Sequence, residues 1–511
     1  MSYRKSPSQI HRQKNIEYLS SLEKSPVAIS TDLLKTLTFG LKGKVVFPWS
    51  PGYAEDKKDF NNAFPADPLA IVYAANYEDI RLVLSFIRTN NLQFCVRSGG
   101  HSLAGYSICD GIIIDLSQLN NIYVDPVYKT AYVEPGCTFE KIFPIIEQYG
   151  LHMPSGECPT VAVAGFMQGG GYGFTSRTYG LGCDVVLSVT VLLADGRIVM
   201  ANNHNNSDLF WAIRGGTGGN FGVLLNISYR LVSLQQVIGI KLAWDFHDST
   251  ANAAGALTYI QNQFIVNDTY PNLGFEFAIA KDSDGRQKVF FCAIWIGDEN
   301  ELNTVLAPIL ALPGTQPLLR IKGNYFGVNE KLLENTPDVP QDANALSRST
   351  IIARPLTAID WSEILAFFLT APNAYTTVGI ECYGGAVSQV AEDATAFIHR
   401  KALMDYFCDV FFTPESNDRK KNEEWSEAYY NFLKKFGNGH SYQNYPNRNQ
   451  TQDFRWAFWG NAYDRLLAVK QKYDPNNVFK FAQSIGPYNK DLTAIYSNYP
   501  ELEKPIVYES L

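Results

Sequence analysis

Two stretches of the chain combine dense glycine with a side chain capable of nucleophilic chemistry. The first runs Arg97-Ser98-Gly99-Gly100-His101-Ser102-Leu103-Ala104-Gly105. The second runs Ser155-Gly156-Glu157-Cys158-Pro159-Thr160-Val161, followed by Gly165 and Gly169-Gly170-Gly171-Tyr172-Gly173. Adjacent glycines let backbone N–H groups converge on an anion such as a diphosphate, and Arg97 would add charge to that nest. A tight turn without a ligand is the alternative for the first loop. The second stretch crowds its glycines into GGGYG rather than GxGxxG, so it is a poor nicotinamide fingerprint. Three glycines in a row instead let backbone lie flat against a ring system or a phosphate chain. Taken singly, His101 reads as a turn histidine and Cys158 as a buried thiol.

The elements that would position these loops follow from apolar periodicity. Pro68–Tyr73 predicts a strand, Tyr77–Thr89 an amphipathic helix and Gln93–Arg97 a second strand, so the first loop leaves the end of a βαβ unit. Gly111–Leu116, Thr130–Val133 and Val185–Leu193 predict further strands, and Asp195-Gly196 marks a hairpin. Beyond residue 236 the strands lengthen, as in Gly274–Ala280 and Lys288–Ile296, and alternate with helices, which predicts a second, α+β domain. Asn461–Tyr473 has helical spacing and stops at Asp474-Pro475. Residues 1–35 are polar and predict a tail or a surface helix.

Composition narrows the class. Of 511 residues, 46% are hydrophobic and 18% charged, which excludes disorder and coiled coil. A formal net charge of -8 argues against nucleic-acid binding through a general positive field. The eight Cys show no CxxC and no zinc-like spacing with His, so no metal site is expected. No secretory signal and no membrane-spanning apolar run are legible, which leads us to expect a cytoplasmic protein. The 29 Tyr, 31 Phe and 8 Trp against 5 Met are compatible with a ring or sugar ligand, although most must be core.

Together with Tyr179-Gly180-Leu181-Gly182-Cys183-Asp184, both glycine stretches resemble, in order and spacing, the berberine-bridge-enzyme-like flavoproteins of the vanillyl-alcohol-oxidase and para-cresol-methylhydroxylase (PCMH) superfamily. Glu381-Cys382-Tyr383-Gly384-Gly385, Asn444-Tyr445-Pro446 and Tyr473-Asp474-Pro475-Asn476-Asn477-Val478-Phe479 resemble that family's C-terminal signatures, so the resemblance covers nearly the whole chain. It implies an α+β, two-domain fold. A PCMH-type FAD-binding domain of two α/β subdomains would be split between residues 36–235 and 446–511. Between them, residues 236–445 would form a substrate domain whose antiparallel sheet is covered by helices. It also implies FAD joined at its 8α-methyl to His101 and at C6 to Cys158. Imidazole and thiolate are the side chains able to attack an electrophilic flavin, and two attachments make it a stronger electron acceptor. Further cofactor positions implied are Arg97, Ser98, Gly99, Gly100, Ser102, Gly105, Ser155, Gly156, Val161, Gly165, Gly170, Gly171, Gly173, Asp184, Gly222, Val223 and Tyr445.

Taking a hydride from a carbon that bears a hydroxyl requires a base for the hydroxyl proton. Tyr445 resembles the family's active-site tyrosine, with Tyr442 as its nearby competitor. A phenol with an ordinary pKa of about 10 needs neighbours that stabilise its phenolate. Glu381 falls where carbohydrate oxidases of this type carry an acidic helper, the alternative being an edge-strand surface Glu. On the strand Asp405–Phe412, Tyr406 is expected to face the substrate, with the acidic or amide residue often found there missing. Val161, three residues after Cys158, resembles oxygen-reactive members, while Ala164 and Phe166 depart from the usual glycine and His. The expected function is an FAD oxidase that acts on an alcohol or hemiacetal carbon of a sugar or glycosylated metabolite and passes electrons to O2, giving H2O2. An oxidative cyclase, or a dehydrogenase using another acceptor, is the alternative, followed by a flavin-bearing binding or storage protein.

Overall fold

A computed structural model describes residues 29–334, 339, 342–413, 419–449, 453–487, 493–499 and 502. Most of the stretch expected as a tail, residues 1–28, therefore lies outside the described residues, and Thr31–Lys35 forms a short helix. Strands β1 (Lys44–Val46), β2 (Ala70–Tyr73), β3 (Phe94–Arg97) and β4 (Ile112–Asp115) form a sheet of order β1-β2-β4-β3. Within it β2, β4 and β3 run parallel. The crossover between β2 and β3 is the helix Tyr77–Thr89, with Asn76 capping it by accepting a hydrogen bond from Asp79 N at 3.0 Å. Its buried residues Ile80, Val83, Leu84 and Ile87 share one face and pack with the sheet.

A second sheet is antiparallel throughout. It contains β5 (Ile122–Asp125), β6 (Thr130–Val133), β8 (Val186–Leu192), β9 (Ile198–Asn202) and β10 (Val223–Arg230), in the order β5-β6-β10-β8-β9. The β8–β9 connection turns at Asp195-Gly196, where Gly196 takes a φ of 92°. Short strands β7 (Leu151–His152) and β11 (Val232–Ser233) pair beside it.

The third sheet has seven antiparallel strands: β12 (Val237–Asp245), β13 (Leu273–Lys281), β14 (Gln287–Trp295), β15 (Gln316–Gly323), β16 (Asn344–Ile352), β17 (Thr376–Cys382) and β18 (Met404–Phe412). Their order is β15-β12-β14-β13-β17-β18-β16. Alternate residues face opposite ways, so the sheet serves two cores. Leu273, Phe275, Phe277, Ile380 and Tyr406 join the core under the helices Ala251–Ile260, Ala358–Phe368 and Arg419–Leu433. Glu276, Glu381, Asp405, Phe407 and Asp409 alternate with them and face the first two sheets. The fold is thus α+β with two domain-like halves.

Backbone-to-backbone approach joins the halves. A Cβ on Gly274 would fall on the Phe174 carbonyl, and one on Gly385 on that of Arg177. Arg177, with no exposed surface, donates to the carbonyls of Leu273, Phe264 and Tyr383 and pairs with Asp268 at 3.2 Å. The chain then returns to its first half. The helix Tyr463–Tyr473 packs against Ser207–Ile213, and buried Lys470 donates to the carbonyls of Asn220 and Phe479 while pairing with Asp474.

The run Gly169–Gly173 is packed closely along most of its length. A Cβ on Gly169 would fall on Asn444 Oδ1, one on Gly170 would lie 2.7 Å from the Phe397 ring, and one on Gly173 would fall on the Ser155 carbonyl. Gly171 takes a φ of 88°, and its Cβ would enter the Phe166 ring. We predict that Gly171→Ala costs about 2–5 kcal/mol, from overpacking and a left-handed alanine together. Gly255→Ala, in a helix where a Cβ meets nothing within 4 Å, should be neutral or stabilising. Comparing the two thermal midpoints with the wild type checks the contrast.

Candidate active site

The face of the seven-stranded sheet turned toward the first half bounds a cavity of about 520 Å³, a volume within the range of small-ligand and cofactor sites. The His101 and Cys158 loops both line it. They are held against one another, because a Cβ on Gly99 would lie 2.8 Å from Ala162 N and Thr138 bridges to Ala162. His101 Nε2 is 3.0 Å from Thr160 Oγ1, and the Phe60 ring stacks on the imidazole at 4.8 Å. Burial lowers the His101 pKa to about 4, which leaves a neutral imidazole with a lone pair. Cys158 presents its thiol to the cavity. Burial, then the Glu157 and Asp409 carboxylates, push that thiol up to about 11.

The cavity gathers many of the expected residues. Ser98, Gly99, Gly100, Ser102, Gly156, Val161, Gly165, Gly222, Val223, Tyr442, Glu381 and Tyr445 all line it. A Cβ at Gly165 would meet nothing within 4 Å, so this backbone borders open space. Others are spent elsewhere. Arg97 is buried behind the loop, its Nε 2.5 Å from Asp115 Oδ2 and its Nη1 donating to the carbonyls of Asp56 and Lys58, so it offers no charge to an anion. Asp184 makes a two-point ion pair with Arg400, at 2.7 and 2.6 Å. Gly105 abuts Phe64, and buried Ser155 donates to Tyr325 Oη at 3.2 Å. Gly170, Gly171 and Gly173 pack against protein, which corrects the expectation that this run lies flat against a ligand.

A third glycine run, carrying no expected role, also reaches the cavity. Gly215-Gly216-Thr217-Gly218-Gly219 precedes β10, and Thr217, Gly218 and Gly219 line the cavity. Phe481 and Gln483 also line it; the Phe481 ring meets that of Tyr106 at 4.7 Å and lies 3.6 Å from a Cβ at Gly219. No local motif marks these last two.

The reacting end is organised by strand register. Glu381 lies on β17, which is interior to the sheet between β13 and β18, and is 4% exposed rather than at an edge. It faces Glu276 across β13 and Asp405 across β18. Tyr445 Oη donates to Glu381 Oε1 at 2.6 Å, and the Phe407 ring stacks on Tyr445 at 4.2 Å. Tyr442 has a different task. Its hydroxyl accepts from Gly171 N at 2.8 Å and from Asn444 Nδ2 at 2.9 Å, so it pins the glycine run. Tyr406 also departs from expectation. It faces the helix Arg419–Leu433, with its hydroxyl 2.6 Å from that of Tyr429, and its neighbours Asp405, Phe407 and Asp409 take the opposite face. The acidic residues expected to be missing from this wall are therefore present.

Burial dominates the electrostatics. It raises Glu381 well above the usual carboxylate range, with Asp405 adding to the effect, and raises Asp405 to about 8 and Asp409 to about 6. Burial and then Glu381 raise the Tyr445 phenol well above the usual tyrosine range. Glu157 is pushed up to about 7 by burial and accepts a hydrogen bond from Glu276, which burial and Glu157 raise much further.

Comparison with known proteins agrees with this geometry. Residues 68–202 match the FAD binding domain model, and residues 441–486 match the berberine and berberine like model. The chain is 30% identical over 460 residues to an uncharacterized FAD-linked oxidoreductase, YgaK, of Bacillus subtilis (strain 168), covering 88% of this chain and 98% of that protein. It is 26% identical over 542 residues to reticuline oxidase of Eschscholzia californica, covering 93% and 94%. Among solved structures, BBE-like 1 of Physcomitrella patens superposes with a TM-score of 0.79 at 25% identity, covering 89% of this chain and all of that one. Chitooligosaccharide oxidase gives 0.78 at 23%, covering 89% and 99%, a likeness of fold. With similarity reaching from the first sheet to the C-terminal signature, one placement is left: this chain is a member of the berberine-bridge-enzyme-like family of FAD-linked oxidoreductases.

Proposed function

We propose that this oxidoreductase is a bicovalent FAD oxidase that removes a hydride from an alcohol or hemiacetal carbon of a sugar or glycosylated metabolite. The observation that carries the proposal is the Tyr445–Glu381 hydrogen bond at 2.6 Å inside the cavity that holds His101 and Cys158. The residues present fit FAD. Glycine backbone at 99, 100, 218, 219 and 222 borders one side of the cavity, and open space lies over Gly165. His101 and Cys158 would hold the cofactor covalently, with residues 36–235 and 446–511 as its half of the fold and 236–445 as the substrate half. Bound FAD would supply the acceptor for the hydride and the electrons for O2, and small Val161 lines the cavity where that chemistry would take place. Reticuline oxidase, a relative over most of its length, is an oxidase by name, which supports the oxygen reading.

The tyrosine works through its carboxylate. An ionised Glu381 raises the phenol, so free phenolate is not the resting base. Tyr445 instead takes the substrate hydroxyl proton as it gives its own to Glu381, which ends the transfer protonated. Asp405, beside Glu381 on β18, sets how readily that carboxyl holds the proton.

Two measurements test this. Acid precipitation of the purified protein should carry the yellow colour into the pellet, and His101→Ala with Cys158→Ala together should leave it in the supernatant. Colour in the wild-type supernatant contradicts covalent attachment. Peroxide release over a panel of mono- and disaccharides identifies a substrate for the second measurement. Because Glu381 must be ionised and its pKa is raised, anaerobic flavin reduction should speed up with pH along a limb above the ordinary carboxylate value of about 4.3. Glu381→Gln should remove that limb and slow reduction by about 10²–10³-fold. An unchanged pH profile in the variant would assign the base elsewhere.

A further inference from the structure

We propose that Thr160, from the Cys158 loop, is a positioning residue for the covalent attachment of His101: it accepts the Nε2 proton and so leaves the Nδ1 lone pair free as the nucleophile. This rests on the bicovalent reading above and names the residue that makes one of its two links possible. His101 Nε2 lies 3.0 Å from Thr160 Oγ1, the one hydrogen bond of the imidazole among the described residues. Nδ1 has no partner there, and the residue lines the cavity.

A neutral imidazole carries its proton on one nitrogen and its basic lone pair on the other. Burial keeps this ring neutral, and no charged neighbour acts on it. Asp59, beside Phe60, uses Oδ1 to accept from Phe60 N at 2.9 Å and leaves the ring alone. Two arrangements are therefore open to the contact with Thr160. With the hydroxyl donating, the Nε2 lone pair is occupied and Nδ1 presents an N–H that nothing accepts, so neither nitrogen can attack. With Nε2 donating, Nδ1 keeps its lone pair. Only the second arrangement leaves a nucleophile.

Phe60 fixes the other coordinate. Its ring stacks on the imidazole with centroids 4.8 Å and planes 22° apart, and its N–H donates to the Gly100 carbonyl at 2.9 Å. Stacking sets the plane of the imidazole but does not tell one edge from the other, because a turn about Cβ–Cγ exchanges them within the same plane. A hydrogen bond to one nitrogen removes that freedom. Since Thr160 stands two residues after Cys158, the loop that carries the second anchor orients the first.

Attachment forms one bond, from Nδ1 to the 8α carbon, and breaks two, an 8α C–H and the imidazole N–H. Both hydrogens leave as protons, the second by way of Thr160, which is exposed. The electron pair passes to O2, the acceptor of the proposed oxidase, and with two protons gives H2O2.

Single-anchor backgrounds separate the two links. In Cys158→Ala only His101 can hold flavin through acid precipitation, and in His101→Ala only Cys158 can. Valine keeps the branching of threonine and removes its hydroxyl. Adding Thr160→Val to Cys158→Ala should lower the flavin per protein in the acid pellet about tenfold or more, with the lost colour in the supernatant. Thr160→Ser, which keeps the acceptor, should restore most of it. In His101→Ala, Thr160→Val should leave the pellet flavin unchanged, because a hydroxyl acting through the imidazole has no effect on the thiol. Undiminished His101-linked flavin in the valine variant, no rescue by serine, or an equal loss of Cys158-linked flavin overturns the positioning role; the last outcome means that Thr160 only holds its loop. A colourless pellet from the Cys158→Ala parent overturns attachment at His101 and the role of Thr160 with it, a result distinct from a coloured parent whose valine variant stays coloured.

Discussion

The site depends on how closely the Gly169–Gly173 backbone approaches the segment Tyr442–Tyr445. Asn444 occupies the space that a side chain at 169 would need, and the Phe166 ring occupies that of 171. Buried N–H groups in such a run need partners, and the Tyr442 hydroxyl meets that of Gly171. Tyr445 N in turn donates to Tyr442 O at 3.0 Å, a tight turn that sends the Tyr445 ring toward Glu381. The position of the proposed base is therefore set by glycines in the first half of the chain acting on a loop from the second. A side chain in this run would displace Asn444 or Phe166, both of which line the cavity, and with them the geometry of Tyr445.

The seven-stranded sheet contributes the other coordinate. Because its residues alternate between two faces, one strand can both anchor a helix layer and equip a reaction chamber. On β18, Met404, Tyr406, Cys408 and Val410 serve the helix side, while Asp405, Phe407 and Asp409 serve the other. The register aligns Glu276, Glu381 and Asp405 across three neighbouring strands. Carboxyls this close share protons, and their titration belongs to the group rather than to single residues. Acid character at the reacting end is thus a property of strand pairing, and a slip by one residue would turn the whole set into the helix core.

The parts legible in the sequence were those encoded locally. The helix Tyr77–Thr89 carries its own cap and apolar stripe, the Asp195-Gly196 hairpin its own turn chemistry, and the two glycine-rich loops that line the cavity their own spacing. The rest required partners far along the chain. Arg97 reads as an anion binder until Asp115 is seen to hold it, and Asp184 reads as part of a loop motif until Arg400, 216 residues on, closes on it. Tyr406 illustrates the parity problem: the strand was recognised, but which alternate residues face the cavity depends on packing against Tyr429. The acids lining the cavity carry no local signal, because Glu157, Glu276 and Asp409 stand in unrelated segments.

The combination of a raised phenol with a raised carboxyl bears directly on how a proton can move here. A tyrosine that served alone would need its phenolate stabilised, and an environment of carboxylates does the reverse. The same environment makes Glu381 a stronger base than an exposed glutamate, because burial and Asp405 disfavour its charge. Paired through one 2.6 Å hydrogen bond, the two cancel each other's disadvantage. In the proposed relay the phenol need never be ionised in the resting state, since its proton would leave toward Glu381 as another arrives from the substrate. The carboxyl need never approach the substrate, since Tyr445 reaches it. In the proposed two-residue relay, a wall of buried acids that would be a liability for a lone tyrosine base would become the driving element, which gives a physical reason for acids to stand around Tyr445.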